Sequence, residues 1–202
     1  MRLLKRPRSL TTAAGLATLM LLTGCATEPE ADAPQTATST PAATDDTATT
    51  TLPEPPAAPE KPAAMANDDE AGARAAADYF LALYAYTVQS NDVTLLDDFC
   101  YEASTFCTAV RLDLEDAENT GQVLAGGDLT WTTEPQVEQR TDASAYIVQG
   151  TIHQSASQLV TSEGSVVDAY EAEDLERAIY IYWDSGDWYG FDIAAPSETA
   201  SE

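Results

Sequence analysis

The sequence predicts an α+β domain in which three N-terminal helices pack on an antiparallel sheet of four or five strands. Apolar residues recur with helical spacing over residues 68–89, and two shorter helical patterns follow. Beyond Gly126 and Gly127 the pattern changes to short runs rich in β-branched and aromatic residues. Helices and strands are thus segregated along the chain instead of alternating, which is typical of the α+β class.

The first helix is predicted from residue 68 to residue 89. Asn67 and Glu70 have the spacing of a capping box, and acidic residues crowd the first turn, where the helix dipole favours negative charge. Six positions share one face of this helix and are predicted to face the sheet: Ala76, Tyr79, Phe80, Leu83, Tyr84 and Thr87.

Two shorter helices are predicted next. The stretch Ser90-Asn91-Asp92 should end the first helix and cap a second one over VTLLDDFC, residues 93–100. This second helix carries Leu95, Leu96 and Phe99 towards the interior. A third helix is predicted over TAVRLDLEDAENTGQ, residues 108–122, with its end near Gly121.

Four strands are predicted over residues 128–140, 144–156, 173–184 and 187–195. Both faces of the third strand are apolar, which indicates a central position in the sheet. Pro135 indicates that the first strand is bent or lies at an edge. A tight hairpin turn is predicted at 184–187, and residues 159–173 form either an extra short strand or a loop.

The N-terminus has the pattern of a secretory signal. Residues 1–24 hold four basic and no acidic residues, and their apolar run is too short to span a membrane. The run ends in Leu22-Thr23-Gly24-Cys25, which resembles a bacterial lipobox, where the cysteine sulfur is lipidated and becomes the new N-terminus. We therefore expect a chain anchored by a lipid on Cys25 to the extracytoplasmic face of the cell membrane. An ordinary signal peptide with an incidental cysteine is the alternative.

Residues 25–66 are rich in proline, threonine and alanine and lack tryptophan, tyrosine and phenylalanine. They are predicted to be a disordered tether, followed by the domain at 67–195 and a disordered tail at 196–202. Without the signal the chain keeps five basic and 34 acidic residues, a net charge of −29 against −25 for the whole sequence. Such a charge disfavours nucleic acids and anionic lipid surfaces as partners.

The order of helices and the closing hairpin at 183–189, of the form W-x-x-G-D-W-Y, look like a nuclear transport factor 2-like cone. The segments ADYFLALYAYTVQSND and GQVLAGG, with a cysteine pair between them, resemble an uncharacterised family of actinobacterial lipoproteins. The resemblance implies a lipobox, a linker, a curved sheet and a small C-terminal domain. It also implies a close C-x-x-C pair, but Ser104 stands where the nearer cysteine would fall.

Whether Cys100 and Cys107 form a disulfide therefore depends on their own spacing in this sequence. Lipidation of Cys25 leaves this even pair outside the membrane, where disulfides persist. Seven residues along one helix would place their Cα atoms roughly 10.5 Å apart, too far for a bond that needs roughly 4.4–6.8 Å. A disulfide thus requires the helix to break within YEASTF, and buried free thiols or a redox pair are the alternatives.

No hydrolase, zinc-protease or phosphate-loop motif is present, and neither a metal site nor a cofactor is predicted. Aromatic side chains and the only histidine suggest a ligand pocket lined by Tyr84, Trp131, Tyr146, His153 and Trp183, with core packing as the alternative. The sequence favours a non-catalytic domain that binds a cell-envelope ligand or protein. An interaction domain of an envelope enzyme complex and a small cone-fold enzyme are the other two readings.

Overall fold

The structure, a computed structural model, describes residues 54, 56–140 and 144–196. It contains a short 3-10 turn at Ala63–Ala66, then α1 (Glu70–Ser90), α2 (Thr94–Phe99), α3 (Thr105–Thr120), β1 (Gln122–Gly126), β2 (Leu129–Trp131), β3 (Gln136–Arg140), β4 (Ala145–Gln154), β5 (Ser157–Thr161), β6 (Val166–Tyr170), β7 (Glu173–Asp184) and β8 (Asp187–Ala194). The predicted order of three helices followed by antiparallel strands is confirmed. The signal, Cys25 and residues 197–202 lie outside the described residues.

The start of α1 differs from the predicted capping box. Asp69 is the N-cap, and its side chain accepts the N–H of Gly72 at 2.8 Å. Asn67 closes the preceding 3-10 turn instead, donating its N–H to the carbonyl of Ala64 at 3.2 Å. The carbonyl of Asn67 then lies so close to Gly72 that a Cβ there would be 2.0 Å from the oxygen. Because of this turn, the N-cap of α1 is Asp69, two residues after the predicted Asn67.

Five of the six predicted positions on the sheet-facing side of α1 are buried, and Tyr79 is partly buried. The helix ends at Asn91, whose φ of 55° is left-handed, and α3 ends in the same way at Gly121 with φ 61°. Asp92 starts the next turn, since its Oδ1 accepts the N–H of Thr94 at 3.0 Å.

The predicted break between the second and third helices is present. The second helix ends at Phe99, and α3 begins at Thr105 after Ser104, whose hydroxyl accepts the N–H of Cys107 at 3.0 Å. This turn brings the Cα atoms of Cys100 and Cys107 to 6.3 Å, and the two cysteines form a disulfide. The predicted bond is confirmed, and the alternative of buried free thiols is wrong.

The larger sheet has five strands in the order β2-β4-β7-β8, with β3 also paired to β4. β7 lies between β4 and β8, as predicted for a central strand. β2 and β3 share the other edge of β4, and the chain between them contains Pro135, so the predicted interrupted edge is confirmed. The turn at 184–187 has positive φ at Ser185 and Gly186, as a two-residue hairpin requires.

A second, three-stranded sheet of order β1-β5-β6 was not predicted. The segment that follows the predicted end of the third helix near Gly121 forms β1, and residues 159–173 contain most of a hairpin instead of one strand or a loop. The three strands have five residues each, and none shows a clear alternation of apolar and polar side chains. The larger sheet has five strands, within the predicted four or five, and the three strands of the second sheet are additional. They were missed because pairing between distant segments forms this sheet.

The larger sheet has two distinct faces. The inner face packs on α1 and carries the buried side chains Tyr146, Val148, Ile152, Ile179 and Ile181. The outer face carries the alternate residues, including Ile147 and Gln149 on β4 and Tyr180 and Tyr182 on β7. This is the division of faces that the sequence predicts for β7.

The segment 56–66, which we call the strap, packs on the domain although the sequence assigns it to the tether. Met65 is 2% exposed, and Lys61 forms an ion pair with Asp187 in the β7–β8 hairpin. Composition predicted disorder here, but one buried side chain and one ion pair attach the strap to the domain. No helix in the described ranges is long and apolar enough to cross a membrane.

Candidate interaction surface

Four of the five residues predicted to line a pocket lie on the inner side of the larger sheet. Tyr84 on α1 is 6% exposed and packs against Phe106 with ring centroids 5.5 Å apart. Tyr146 and Trp183 both pack against Trp188, at 5.2 and 5.1 Å. The aromatic side chains thus fill the space between helix and sheet by contacting one another.

Trp131 and Tyr146 also connect the sheet to α1 and to the chain just before it through hydrogen bonds. The indole N–H of Trp131 donates to Asp78 at 2.7 Å, and the hydroxyl of Tyr146 donates to Asp68 at 2.9 Å. Gln139 donates to the Tyr146 hydroxyl at 2.8 Å. These bonds fix the orientation of both rings, and burial together with the bond to Asp68 raises the pKa of Tyr146.

His153, the fifth predicted residue, lies on the outer face and points away from the other four. Its Nδ1 is 2.7 Å from Asp174 on β7, and both side chains are about half exposed. The sequence-based grouping of His153 with the four aromatic residues is therefore wrong. The physical reason is the two-residue period of β4, which sends Ile152 inward and His153 outward.

The interior of the described domain holds no acid–base cluster. Its buried polar side chains are Thr87, Ser104, Gln154 and Ser157, none of which ionises in the ordinary pH range. Burial raises the pKa of the Tyr84 hydroxyl and lowers the pKa of the partly buried Arg177 guanidinium. Within the described residues there is also no group of three or more side chains that could hold a metal ion.

Three aromatic side chains form a cluster on the open side of the sheet, which we call the outer aromatic cluster: Tyr101, Tyr182 and Phe191. Tyr101 stacks on Tyr182 with ring centroids 5.5 Å apart and an interplanar angle of 27°. Phe191 meets Tyr182 edge-on at 5.5 Å and Tyr101 at 6.1 Å. Tyr101 is 42% exposed, so this cluster presents aromatic surface to solvent.

Backbone and covalent contacts hold the outer aromatic cluster in place. The N–H of Tyr101 donates to the carbonyl of Gly190 at 2.8 Å, and the Ser104 hydroxyl donates to the carbonyl of Phe191 at 2.6 Å. The Cys100–Cys107 disulfide closes the loop that carries Tyr101. A rigidly held aromatic surface loses little conformational entropy when a partner binds.

Hollows are also found among the described residues, and three of them are lined by no residue predicted to bind ligand. One of about 460 Å³ lies between the C-terminal ends of α1 and α3 and strand β1. A second, of about 310 Å³, lies on the outer face near Glu134, Gln149 and Glu176. The third, of about 260 Å³, lies beneath Lys61 of the strap.

The chain belongs to the DUF6318 family, a family of unknown function whose model matches residues 41–192. The match spans the whole described domain except its last few residues. No curated protein matches the chain at a significant level.

Among solved structures, the chain is similar to the crystal structure of the intermembrane space region of the chloroplast protein ARC6. The TM-score is 0.50 at 10% sequence identity, and the match covers 64% of this chain and 98% of that chain. At this identity the likeness concerns the fold alone.

Proposed function

We propose that this member of the DUF6318 family is a lipid-anchored, non-catalytic interaction domain on the extracytoplasmic face of the membrane. In this proposal Cys25 carries the lipid, the domain has a nuclear transport factor 2-like cone, and a protein partner docks on the outer aromatic cluster. The lipobox-like sequence and the acidic, proline-rich tether support the anchor. The actinobacterial lipoprotein family named above is part of the same proposal.

One observation carries the interaction role: the interior is filled, while aromatic side chains stand on the open face. Inside, Phe80, Leu83 and Tyr84 are buried, and the rings of Phe80 and Tyr84 both pack against Phe106. Outside, Tyr101, Tyr182 and Phe191 form a fixed aromatic surface. Tyrosine and other aromatic side chains are enriched in protein interfaces for this combination of area and rigidity.

The charge of the chain indicates the chemistry of the partner. Without its signal the chain carries 34 acidic and five basic residues, and Glu102 and Asp192 adjoin the outer aromatic cluster in sequence. The negative electrostatic field of the chain would attract a partner segment that carries arginine or lysine beside apolar side chains. The cation of such a segment could stack on a tyrosine ring of the outer aromatic cluster. We therefore expect a basic, partly apolar protein segment at this surface.

An enzymatic role has less support. A general base needs a carboxylate or histidine placed against a bound substrate, usually with a shifted pKa. The described interior offers neither, and the pair His153–Asp174 lies exposed on a sheet face outside the three hollows.

The anchor is tested by fractionation of cells that express the chain with Cys25→Ser. Lipidated protein should sediment with membranes and gain the mass of its acyl groups, and the variant should lose both properties. Membrane association at the unmodified peptide mass in the unsubstituted protein would refute lipid anchoring.

The docking surface is tested with a photo-crosslinking amino acid placed at Tyr101 in cells, with Leu112 as the matched control. Leu112 is also apolar and is 60% exposed, but it lies on α3 and is not one of the three rings of the outer aromatic cluster. We expect an adduct at position 101 only, weakened by high salt, whose cross-linked peptide is basic and apolar. Equal adducts at both positions, no adduct, or an acidic peptide would refute this docking surface.

A further inference from the structure

The strap meets the domain with a period of three residues. Pro56, Pro59 and Pro62 are each partly buried, whereas the residues between them are exposed. The next residue in this series, Met65, is 2% exposed. One side of the strap therefore lies along the domain from Pro56 to Met65.

This period is that of a polyproline II helix, which has three residues per turn and no internal hydrogen bonds. Pro62 has φ −62° and ψ 140°, near the polyproline II values of about −75° and about 145°. The series ends at the 3-10 turn, where the N–H of Met65 donates to the carbonyl of Pro62 at 3.1 Å. The strap thus lies on the domain as an extended, proline-rich segment with one contacting side.

The domain side of this contact is a groove between α1, α2 and the β7–β8 hairpin. We call it the strap groove, and its lining includes Tyr79, Asp98, Phe99, Asp187 and Tyr189. The rings of Tyr79 and Phe99 meet edge-on with centroids 5.3 Å apart, which fixes one wall. Proline-rich segments in the polyproline II conformation dock in aromatic-lined grooves, because the preformed helix loses little entropy.

The strap does not fill the strap groove. A hollow of about 260 Å³ remains between Lys61 and the groove. The residues that separate the prolines of the strap are mostly alanines, whose side chains are too short to enter this space. A segment with a longer side chain beside Lys61 would have room for it there.

The strap groove is acidic, and the strap offsets only part of its charge. Lys61 pairs with Asp187, and Asp98 remains as a second carboxylate on the lining. The strap also places Glu60 next to Lys61, which adds negative charge. A segment with a second cation would therefore complement the groove better than the strap does. Arginine suits this place, since its guanidinium pairs with carboxylates and stacks on aromatic rings.

We propose that the strap groove recognises proline-rich segments, and that the strap is a built-in ligand which a proline-rich segment of a partner protein displaces. The seated strap shows the backbone conformation that the groove accepts. The charge left at Asp98 indicates that the partner segment carries arginine beside lysine. The strap is covalently attached and so competes at an effective concentration of roughly millimolar order, which the second cation of the partner offsets.

This site goes beyond the proposed function, because the strap groove shares no residue with the outer aromatic cluster. Failure of the cross-linking at Tyr101 would leave the strap groove unaffected. Failure of strap displacement would equally leave the lipid anchor and the outer aromatic cluster unaffected.

The test follows the strap by nuclear magnetic resonance in the whole mature chain with Cys25→Ser. Met65 is the only methionine after residue 24, so a ¹³C-methyl label on methionine reports on the strap alone. The probe is a synthetic peptide of residues 56–66, PAAPEKPAAMA, that carries Glu60→Arg. Titrated to roughly 10 mM, it should move the Met65 signal saturably from its buried position to that of an exposed methionine.

Two control peptides separate conformation from charge. The peptide with Glu60→Arg and all three prolines replaced by alanine keeps both cations but loses the polyproline II preference, and it should leave the Met65 signal in place. The peptide of unchanged sequence should need a roughly fivefold higher concentration for half-displacement, as expected for the loss of one exposed ion pair. In a chain with Lys61→Ala, where the strap has lost its own ion pair, displacement should need roughly threefold less peptide.

Asp98→Asn in the chain supplies the decisive comparison, with Glu163→Gln as the matched control. Both residues are exposed and both changes remove one negative charge, but Glu163 lies in the turn between β5 and β6 and does not line the strap groove. The first change should raise the half-displacement concentration roughly threefold, and the second should leave it unchanged. The proposal is overturned if the Met65 signal stays in place in both the unsubstituted chain and Lys61→Ala, if the proline-free peptide displaces the strap equally well, or if Asp98→Asn and Glu163→Gln behave alike.

Discussion

At Gly190 the larger sheet lies against the Phe80 ring of α1, and Gly190→Ala is the sharpest test of this packing. A Cβ at Gly190 would lie 2.8 Å from two carbons of the Phe80 ring and 2.9 Å from a third. Carbon atoms in optimal contact are about 3.5–4.0 Å apart. Phe80 is fully buried and packs against Phe99 and Phe106, with both centroid distances 5.6 Å, so its ring cannot move aside freely.

We expect Gly190→Ala to lower the free energy of unfolding by about 2–3 kcal/mol, in the upper part of the range for overpacking. For a domain of this size the midpoint of thermal unfolding should fall by roughly 6–9 °C. Chemical denaturation followed by tryptophan fluorescence measures the free energy directly. Phe80→Leu, which is destabilising by itself, should reduce the additional cost of Gly190→Ala to below about 1 kcal/mol.

Gly186→Ala is the matched control for this cycle. Its φ of 91° penalises any side chain, but a Cβ there would meet no atom within 4 Å. Its cost should therefore come from the backbone alone and remain the same, within about 0.5 kcal/mol, in the Phe80→Leu background. A cost of Gly190→Ala that is small, or that Phe80→Leu leaves unchanged, would contradict the steric explanation.

Three further predictions concern other parts of the domain. Burial raises the pKa of Tyr84, so above about pH 10 the unfolded chain loses the Tyr84 proton while the folded chain keeps it. The free energy of unfolding should therefore fall as the pH rises. Denaturation at pH 8 and at pH 11 should show that Tyr84→Phe reduces this fall by about 1.4 kcal/mol. Replacing both Cys100 and Cys107 by serine should cost about 2.5 kcal/mol for an eight-residue loop, and reductant should then have no further effect. Gly72→Ala should destabilise the start of α1, because the new Cβ would lie 2.0 Å from the Asn67 carbonyl oxygen. Amide hydrogen exchange in the first turn of α1 should become faster, and unchanged exchange would contradict the observed turn.

The long elements could be predicted from sequence because each carries its own pattern. α1 has a helical apolar face over 21 residues, and β7 has 12 residues with apolar side chains on both faces. The strands β1, β5 and β6 have five residues each, and only their mutual pairing distinguishes them from loops. Local signals of that length are too weak to define strands without knowledge of their partners.

The outer aromatic cluster shows the same limit. The two-residue period of β7 predicts that Tyr182 faces away from Trp183, and that part is confirmed. Tyr101 lies in a loop, and its place beside Tyr182 depends on the disulfide and on the hydrogen bond to Gly190. Phe191 lies within an irregularity in the pairing of β7 and β8, between the paired residues Gly190 and Asp192, and a two-residue period does not predict such an irregularity.

The scarce cations of this acidic chain lie where separate elements meet. Among the described residues, ion pairs join basic side chains to carboxylates of other elements: Lys61 to the β7–β8 hairpin, Arg74 to the chain between β2 and β3, and Arg111 to α2. Exposed pairs of this kind contribute at most about 1 kcal/mol each, so their main effect is to relieve repulsion between acidic elements at these junctions. The carboxylates of the chain still far outnumber its cations. A cationic partner therefore meets an attractive field over much of the surface, and we expect its fixed aromatic contacts, more than its charge, to decide where it docks.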